Sequence, residues 1–226
     1  MVEFHTADTL APAYAAVRAR VRSVIEAAPA AALDGVCPLT PDWRVRDVVA
    51  HLAGVPADVL AGRMEGVASD AWTAVQVESR RTMPVAEILD EWDRDGTAVA
   101  PLMPAFPLPA IGQFVFDAVT HEFDVFHALG VPAVHDSDAV MCSFDWIRAM
   151  GAPPVPLRLR TPSGDHAWGD GTPAGTLELR EFDFVRMVCG RRSLTQIAAY
   201  VVEGDIDPAS MLVAPIFSPA PVDVLE

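Results

Sequence analysis

Apolar residues near the start of the chain fall at Leu10, Tyr14, Val17, Val21 and Ile25, three or four positions apart. This spacing keeps them on one face of a 3.6-residue period and predicts an amphipathic helix from Thr9 to about Ala27. After a proline-containing loop, Thr40-Pro-Asp-Trp-Arg-Val-Arg-Asp offers a capping side chain, an early proline and acidic residues. A second helix is expected to start there, to carry His51, and to bend or restart near Gly54 and Pro56. The same spacing predicts helices around Trp72 to Arg81 and from Val85 to about Met103, with Pro84 at a position where a helix can begin. Pro101, Pro104, Pro107 and Pro109 read as a rigid connector. Ile111 to Leu129 follows as the most apolar helix, ending at Gly130, and Ser137 to Met150 as one more.

Beyond Gly151-Ala-Pro-Pro-Val-Pro the period changes from helical to alternating. Leu157-Arg-Leu-Arg-Thr and Gly175-Thr-Leu-Glu-Leu-Arg read as half-buried strands, with His166-Ala-Trp168 as a short strand between turns. Helices over Phe182 to Cys189 and Ser193 to Val202 complete the pattern. The expected fold class is α+β, with a helical bundle over residues 1–151 and a small α+β domain over 152–226.

Composition narrows the function classes. The chain has 226 residues and a formal net charge of -15, and all its basic side chains except the six histidines are arginines. Such a charge repels phosphate backbones and anionic lipid, so nucleic acid and membrane surfaces are not expected partners. No uninterrupted apolar run reaches the length of a bilayer span, and the first residues do not read as a signal peptide, so a cytoplasmic location is expected. Cys37, Cys142 and Cys189 are odd in number and widely spaced, which predicts reduced, packed thiols rather than disulfides or a zinc ribbon.

Candidate chemistry lies on the apolar helices. Asp117 and His121 are four residues apart and therefore share a helix face, and Asp124 extends that stripe. Polar groups among Phe114, Val115, Phe116, Val119 and Phe123 are costly to bury unless they pair or hold a cation. His51, in Val48-Val-Ala-His-Leu-Ala, is a third donor from another helix, although a lone histidine on an apolar face also reads as a satisfied core residue. Two imidazoles and a carboxylate, with coordination positions left open, are the donor set of a catalytic zinc, iron or nickel site.

Three stretches carry a family resemblance: Thr40-Pro-Asp-Trp-Arg-Val-Arg-Asp-Val-Val-Ala-His-Leu-Ala-Gly, Phe116-Asp-Ala-Val-Thr-His-Glu-Phe-Asp-Val-Phe-His-Ala-Leu-Gly, and Cys189-Gly-Arg-Arg-Ser followed by Glu203-Gly-Asp. In order and spacing the chain resembles the mycothiol-dependent maleylpyruvate isomerase family of the DinB-like four-helix-bundle superfamily. The resemblance implies an up-down four-helix bundle, a divalent metal held by His51, Asp117 and His121, and mycothiol as the thiol cofactor or co-substrate. Zinc is the first choice of metal, with nickel or iron as alternates. The family pattern has Glu where this chain has Asp117, so the shorter side chain must draw its helix toward the metal or bind through water.

The resemblance implies an isomerase or S-transferase acting on a small electrophile such as maleylpyruvate. Two other readings use the same residues: a metal-activated-water hydrolase, and a non-enzymatic metal-binding or regulatory protein. Asp124 is expected either to hold a ring nitrogen of His121 or to solvate the helix end. Arg191 and Arg192 read as a clamp for a carboxylate of substrate or thiol, or as a surface pair answering the acidic C-terminal region. Glu122 and His127 are expected to be solvated or packed, Arg80 and Arg81 to lie on a solvated face, and Trp43, Trp72 and Trp92 to pack in the core or at helix caps.

Overall fold

A computed structural model describes residues 3–151, 153–212 and 217–226. The chain divides into two compact units: Thr6–Ala133, and Val134–Glu226 together with the residues just before Thr6.

The first unit is helical. α1 (Ala7–Ala27) buries the predicted stripe of Leu10, Tyr14, Val17, Val21 and Ile25. A single-turn α2 (Ala30–Leu33) lies in the expected loop. α3 (Val45–Ala61) starts later than predicted, because Thr40 to Trp43 closes a turn in which Trp43 N–H donates to the Thr40 carbonyl at 2.9 Å. Its start is stabilised by Asp47, whose carboxylate accepts from the Arg44 backbone N–H at 3.0 Å and from Arg44 Nε at 2.9 Å. α3 runs unbroken through Gly54 and Pro56 and ends at Gly62, whose φ of 69° is the left-handed cap glycine adopts without strain.

α4 (Asp70–Ser79) is capped by Ser69. α5 (Val85–Val99) stops short of the predicted Met103, and the proline-rich connector begins as a 3-10 helix over Ala100–Ala105. α6 (Leu108–Leu129) starts within the remaining prolines and ends at Gly130. Helices α1, α3, α5 and α6 form a four-helix bundle, in which α3 packs on α5 and α1 on α6. Val17, Val48, Val49, Val115, Val119 and Phe123 are fully buried at its centre. Two polar atoms are satisfied inside it: Trp92 Nε1–H donates to the Tyr14 hydroxyl at 2.7 Å.

Glu122 takes the packed one of its two expected alternatives. Its side chain is fully buried and paired with Arg20, whose Nη2 donates to Oε2 at 2.9 Å. Arg80 is likewise buried, with Nε and Nη2 each 2.7 Å from a carboxylate oxygen of Glu91. Arg81 pairs with Glu78 on the exposed face, as expected.

The second unit holds α7 (Asp138–Met150), β1 (Leu157–Thr161), β2 (Gly164–Trp168), β3 (Gly175–Glu178), α8 (Glu181–Val188), α9 (Leu194–Tyr200) and β4 (Val201–Glu203). The sheet order is β2-β1-β3-β4, with β1 antiparallel to β2, parallel to β3, and β3 antiparallel to β4. Leu157, Leu159 and Leu177 point from the strands into the core. The expected division at residue 151 differs from the observed one by a helix. α7 packs on α8, where Phe144 meets Phe184 edge-on at 5.2 Å, and Arg148 Nε donates to the Ala167 carbonyl at 3.2 Å. All three cysteines are buried and none is in a disulfide. No helix among the described residues is long and apolar enough to cross a membrane.

Candidate metal centre

The helical period of α6 sets Asp117 and His121 one turn apart, and bundle packing brings His51 of α3 against them. One ligand atom from each lies within 4.8 Å of the others, and among the described residues this is the group able to hold an ion. His51 Nε2 is 3.3 Å from Asp117 Oδ2, and His121 Nε2 is 3.8 Å from Asp117 Oδ1. Donor atoms about 2.1 Å from a tetrahedral cation stand about 3.4 Å from one another, so these edges fit one ion with little movement. The Asp117 carboxylate thus reaches both imidazoles directly, despite being one methylene shorter than Glu.

The far side of each ring fixes its chemistry. His51 Nδ1 is 2.7 Å from Gln76 Oε1, and His121 Nδ1 is 3.1 Å from Asp124 Oδ2. Both partners are acceptors, so each Nδ1 carries the proton and each Nε2 turns a lone pair toward the Asp117 carboxylate. Lone pairs converging without a proton between them require a cation, and this is the physical argument that the donor set fits a metal. With no metal, a proton takes that role. Burial pulls the His51 imidazole down, but the Asp117 carboxylate and hydrogen bonds to Asp117 and Gln76 outweigh it, leaving the group above its usual value.

The site is mostly enclosed. His51 is 4% exposed and Asp124 fully buried, whereas the Asp117 side chain is 32% exposed and marks the open side. Trp43, read from sequence as packing, lies against both imidazoles, with ring centroids 5.3 Å from His51 and 5.7 Å from His121. It also lines an open groove with Val36, Arg44, Val75, Val77 and Arg81. The Cys37 thiol donates to the Asp124 carbonyl at 3.4 Å, and burial pushes its pKa up, so it stays protonated.

Other expected site residues lie elsewhere. His127 is outside the three-residue group. Arg191 and Arg192 are buried in the second unit, in the turn before α9. Arg192 is held between Glu226, 2.7 Å from Nη1, and Asp183, 2.9 Å from Nη2, while Nε faces the Tyr200 hydroxyl at 3.3 Å. Arg191 Nη1 donates to the Cys189 carbonyl at 2.6 Å. This is a correction to the clamp reading: a ligand carboxylate would have to displace internal partners that already satisfy Arg192. Sequence reasoning missed Gln76, since a glutamine between Val75 and Val77 carries no motif and only the fold aims its amide at His51.

Fold and donors together define a four-helix-bundle protein with a His–Asp–His cluster and an appended α+β unit. Residues 14–125 match the family model described as the mycothiol maleylpyruvate isomerase N-terminal domain, and through that segment the chain belongs to this family. The chain is also similar to a crystal structure of a histidine-to-alanine mutant of the mycothiol-dependent maleylpyruvate isomerase. That match has a TM-score of 0.59 at 13% identity, covering 89% of this chain and 95% of the other. The likeness extends across both units and shows a shared α+β fold. No curated protein sequence matches the chain.

Proposed function

We propose that this protein is a metal-dependent enzyme that uses a low-molecular-weight thiol, mycothiol in the family's case, to isomerise or conjugate a small electrophile such as maleylpyruvate. The observation that carries the reading is the pair of Nε2 atoms facing one carboxylate while both Nδ1 atoms are engaged by acceptors. His51, Asp117 and His121 would hold the metal, with zinc as the first choice. When bound, such a cation lowers the pKa of a coordinated thiol and makes it a nucleophile at neutral pH. The residues of the chain do the rest. Gln76 and Asp124 fix the imidazoles, Trp43 screens them from water, and the exposed edge of Asp117 leaves an approach for thiol and electrophile. Family membership favours a thiol over activated water as the nucleophile. The protein's own thiols are poor substitutes: burial pushes Cys142 up to about 11 and raises Cys37 as well.

Metal analysis of the purified protein, alongside His51→Ala and His121→Ala, is the first test. Stoichiometric divalent metal in the wild type and its loss in both variants is the expected result; unchanged occupancy would overturn the ligand assignment. Mycothiol added to the cobalt-substituted protein should then produce a sulfur-to-cobalt charge-transfer band. A flat spectrum, with turnover of neither maleylpyruvate nor other activated alkenes, would remove the thiol chemistry and leave a hydrolase or a binding protein.

A further inference from the structure

We infer that Gln76 and Asp58 are positioning residues that select the tautomer of His51, through a buried chain of hydrogen bonds running Arg63 to Asp58 to Gln76 to His51. The inference rests on the reading of His51 as a metal ligand. It assigns a role to residues that no motif marks.

The observation that prompts it is the composition of α4. Of its ten residues only Gln76 and Val77 are buried, so half of what this helix inserts into the bundle is a polar amide, 1% exposed. Burying an amide costs stability unless each of its atoms is bonded. Here they are. Gln76 Nε2 donates to Asp58 Oδ2 at 2.7 Å, Gln76 Oε1 faces His51 Nδ1 at 2.7 Å, and Arg63 Nε donates to Asp58 Oδ1 at 2.7 Å.

The direction of the chain follows from Asp58. An ionised carboxylate paired with Arg63 accepts only, so the amide must turn its nitrogen toward Asp58 and its oxygen toward His51. An acceptor at that point requires a proton on Nδ1 and leaves Nε2 bare. Were the amide free to flip, its NH₂ group would face Nδ1 instead. The proton would then move to Nε2, where the Asp117 carboxylate at 3.3 Å is a ready acceptor, and the metal-facing lone pair would be lost.

Three features hold the amide in place. His51, Gly54 and Asp58 follow one face of α3, and α4 crosses that face at Gly54, where a Cβ would stand 2.5 Å from Gln76 Cβ and 2.6 Å from its Cγ. The Gln76 carbonyl accepts from Arg80 Nη1 at 3.0 Å, and Arg80 is itself anchored to Glu91 of α5. Trp72 Nε1–H donates to the Arg63 carbonyl at 2.9 Å, tying the far end of the chain back to α4.

The test separates tautomer selection from simple helix stitching. Nitrogen NMR of ring-labelled histidine in the metal-free protein, at a pH where the ring is neutral, should show His51 protonated on Nδ1. Gln76→Leu should move that proton to Nε2 and weaken zinc or cobalt binding by about 10–100-fold, as loss of outer partners of a liganding histidine does. Asp58→Leu should do the same by freeing the amide to flip. Exchanging the polarity, with Asp58→Asn and Gln76→Glu together, keeps an acceptor facing Nδ1 and a donor–acceptor pair behind it. That double variant should recover the Nδ1 tautomer and most of the affinity; Gln76→Glu alone also presents an acceptor to Nδ1 and should keep the tautomer, but it sets two carboxylates face to face and should lower the melting temperature. A merely structural role predicts equal losses of melting temperature with the tautomer unchanged. Retention of Nδ1–H and of wild-type affinity in Gln76→Leu would overturn the proposal, as would Nε2–H in the wild type. If the wild type binds no metal, the ligand reading fails, and the NMR experiment still decides the tautomer.

Discussion

Replacing Gly54 by alanine sets two opposing effects against each other at a single methyl group. In an exposed helix interior the change favours folding by about 1 kcal/mol, because alanine restricts the unfolded chain and suits the helix. At this position the new Cβ would stand 2.5 Å from Gln76 Cβ and 3.0 Å from its Cδ, so the two helices must separate by close to 1 Å to reach ordinary contact. The obstructing atom is a Cβ, fixed to the α4 backbone, so no rotamer change relieves it. Overpacking of this kind costs about 1–3 kcal/mol. Withdrawing Gln76 from His51 and Asp58 leaves buried polar atoms short of partners, at about 1–3 kcal/mol more. The expected outcome is a net loss of about 1–5 kcal/mol, read as a lower urea midpoint with unchanged slope. Adding Gln76→Ala should not restore it, since alanine keeps the Cβ. A midpoint equal to or above the wild type would refute the claim that α4 rests on this glycine.

Arg20→Ala should destabilise the bundle by about 3 kcal/mol, because it strands the fully buried Glu122, whereas Arg20→Met with Glu122→Leu should recover most of the loss in chemical denaturation. Burial already raises the Glu122 carboxyl despite Arg20, so the Arg20→Ala protein should take up a proton at higher pH than the wild type and lose least stability in acid. Glu181 runs the other way: burial raises it, but hydrogen bonds from Ser163 and Thr161 outweigh that and leave it lowered. The stability it confers is present above about pH 4.5 and lost as pH falls through its folded value, so the melting-temperature gap between wild type and Glu181→Gln should close in acid. With all three cysteines buried, alkylation of the native protein should be slow and should become rapid on adding denaturant; rapid native labelling would contradict the burial.

The sequence by itself determined whatever depends on neighbours along the chain. The stripe of α1 from Leu10 to Ile25, the alternation of Leu157 and Leu159, the stop at Gly130 and the pairing of Asp117 with His121 all follow from a backbone period, which is local and rigid. Helix starts were less legible. The first turn of α3 depends on Asp47 reaching back to Arg44, and it prevailed over the equally plausible cap at Thr40. What joins distant segments was decided by packing alone. Nothing in the sequence reveals that Glu122 meets Arg20 across 102 positions, that Trp43 faces two imidazoles, or that α7 leaves the bundle to pack on α8. The candidate metal centre divides along the same line. Two of its three proposed donors come from one helical turn, but His51 joins them, and Gln76 meets His51, only because α3, α4 and α6 bring side chains 25 and 66 positions apart into hydrogen-bonding range.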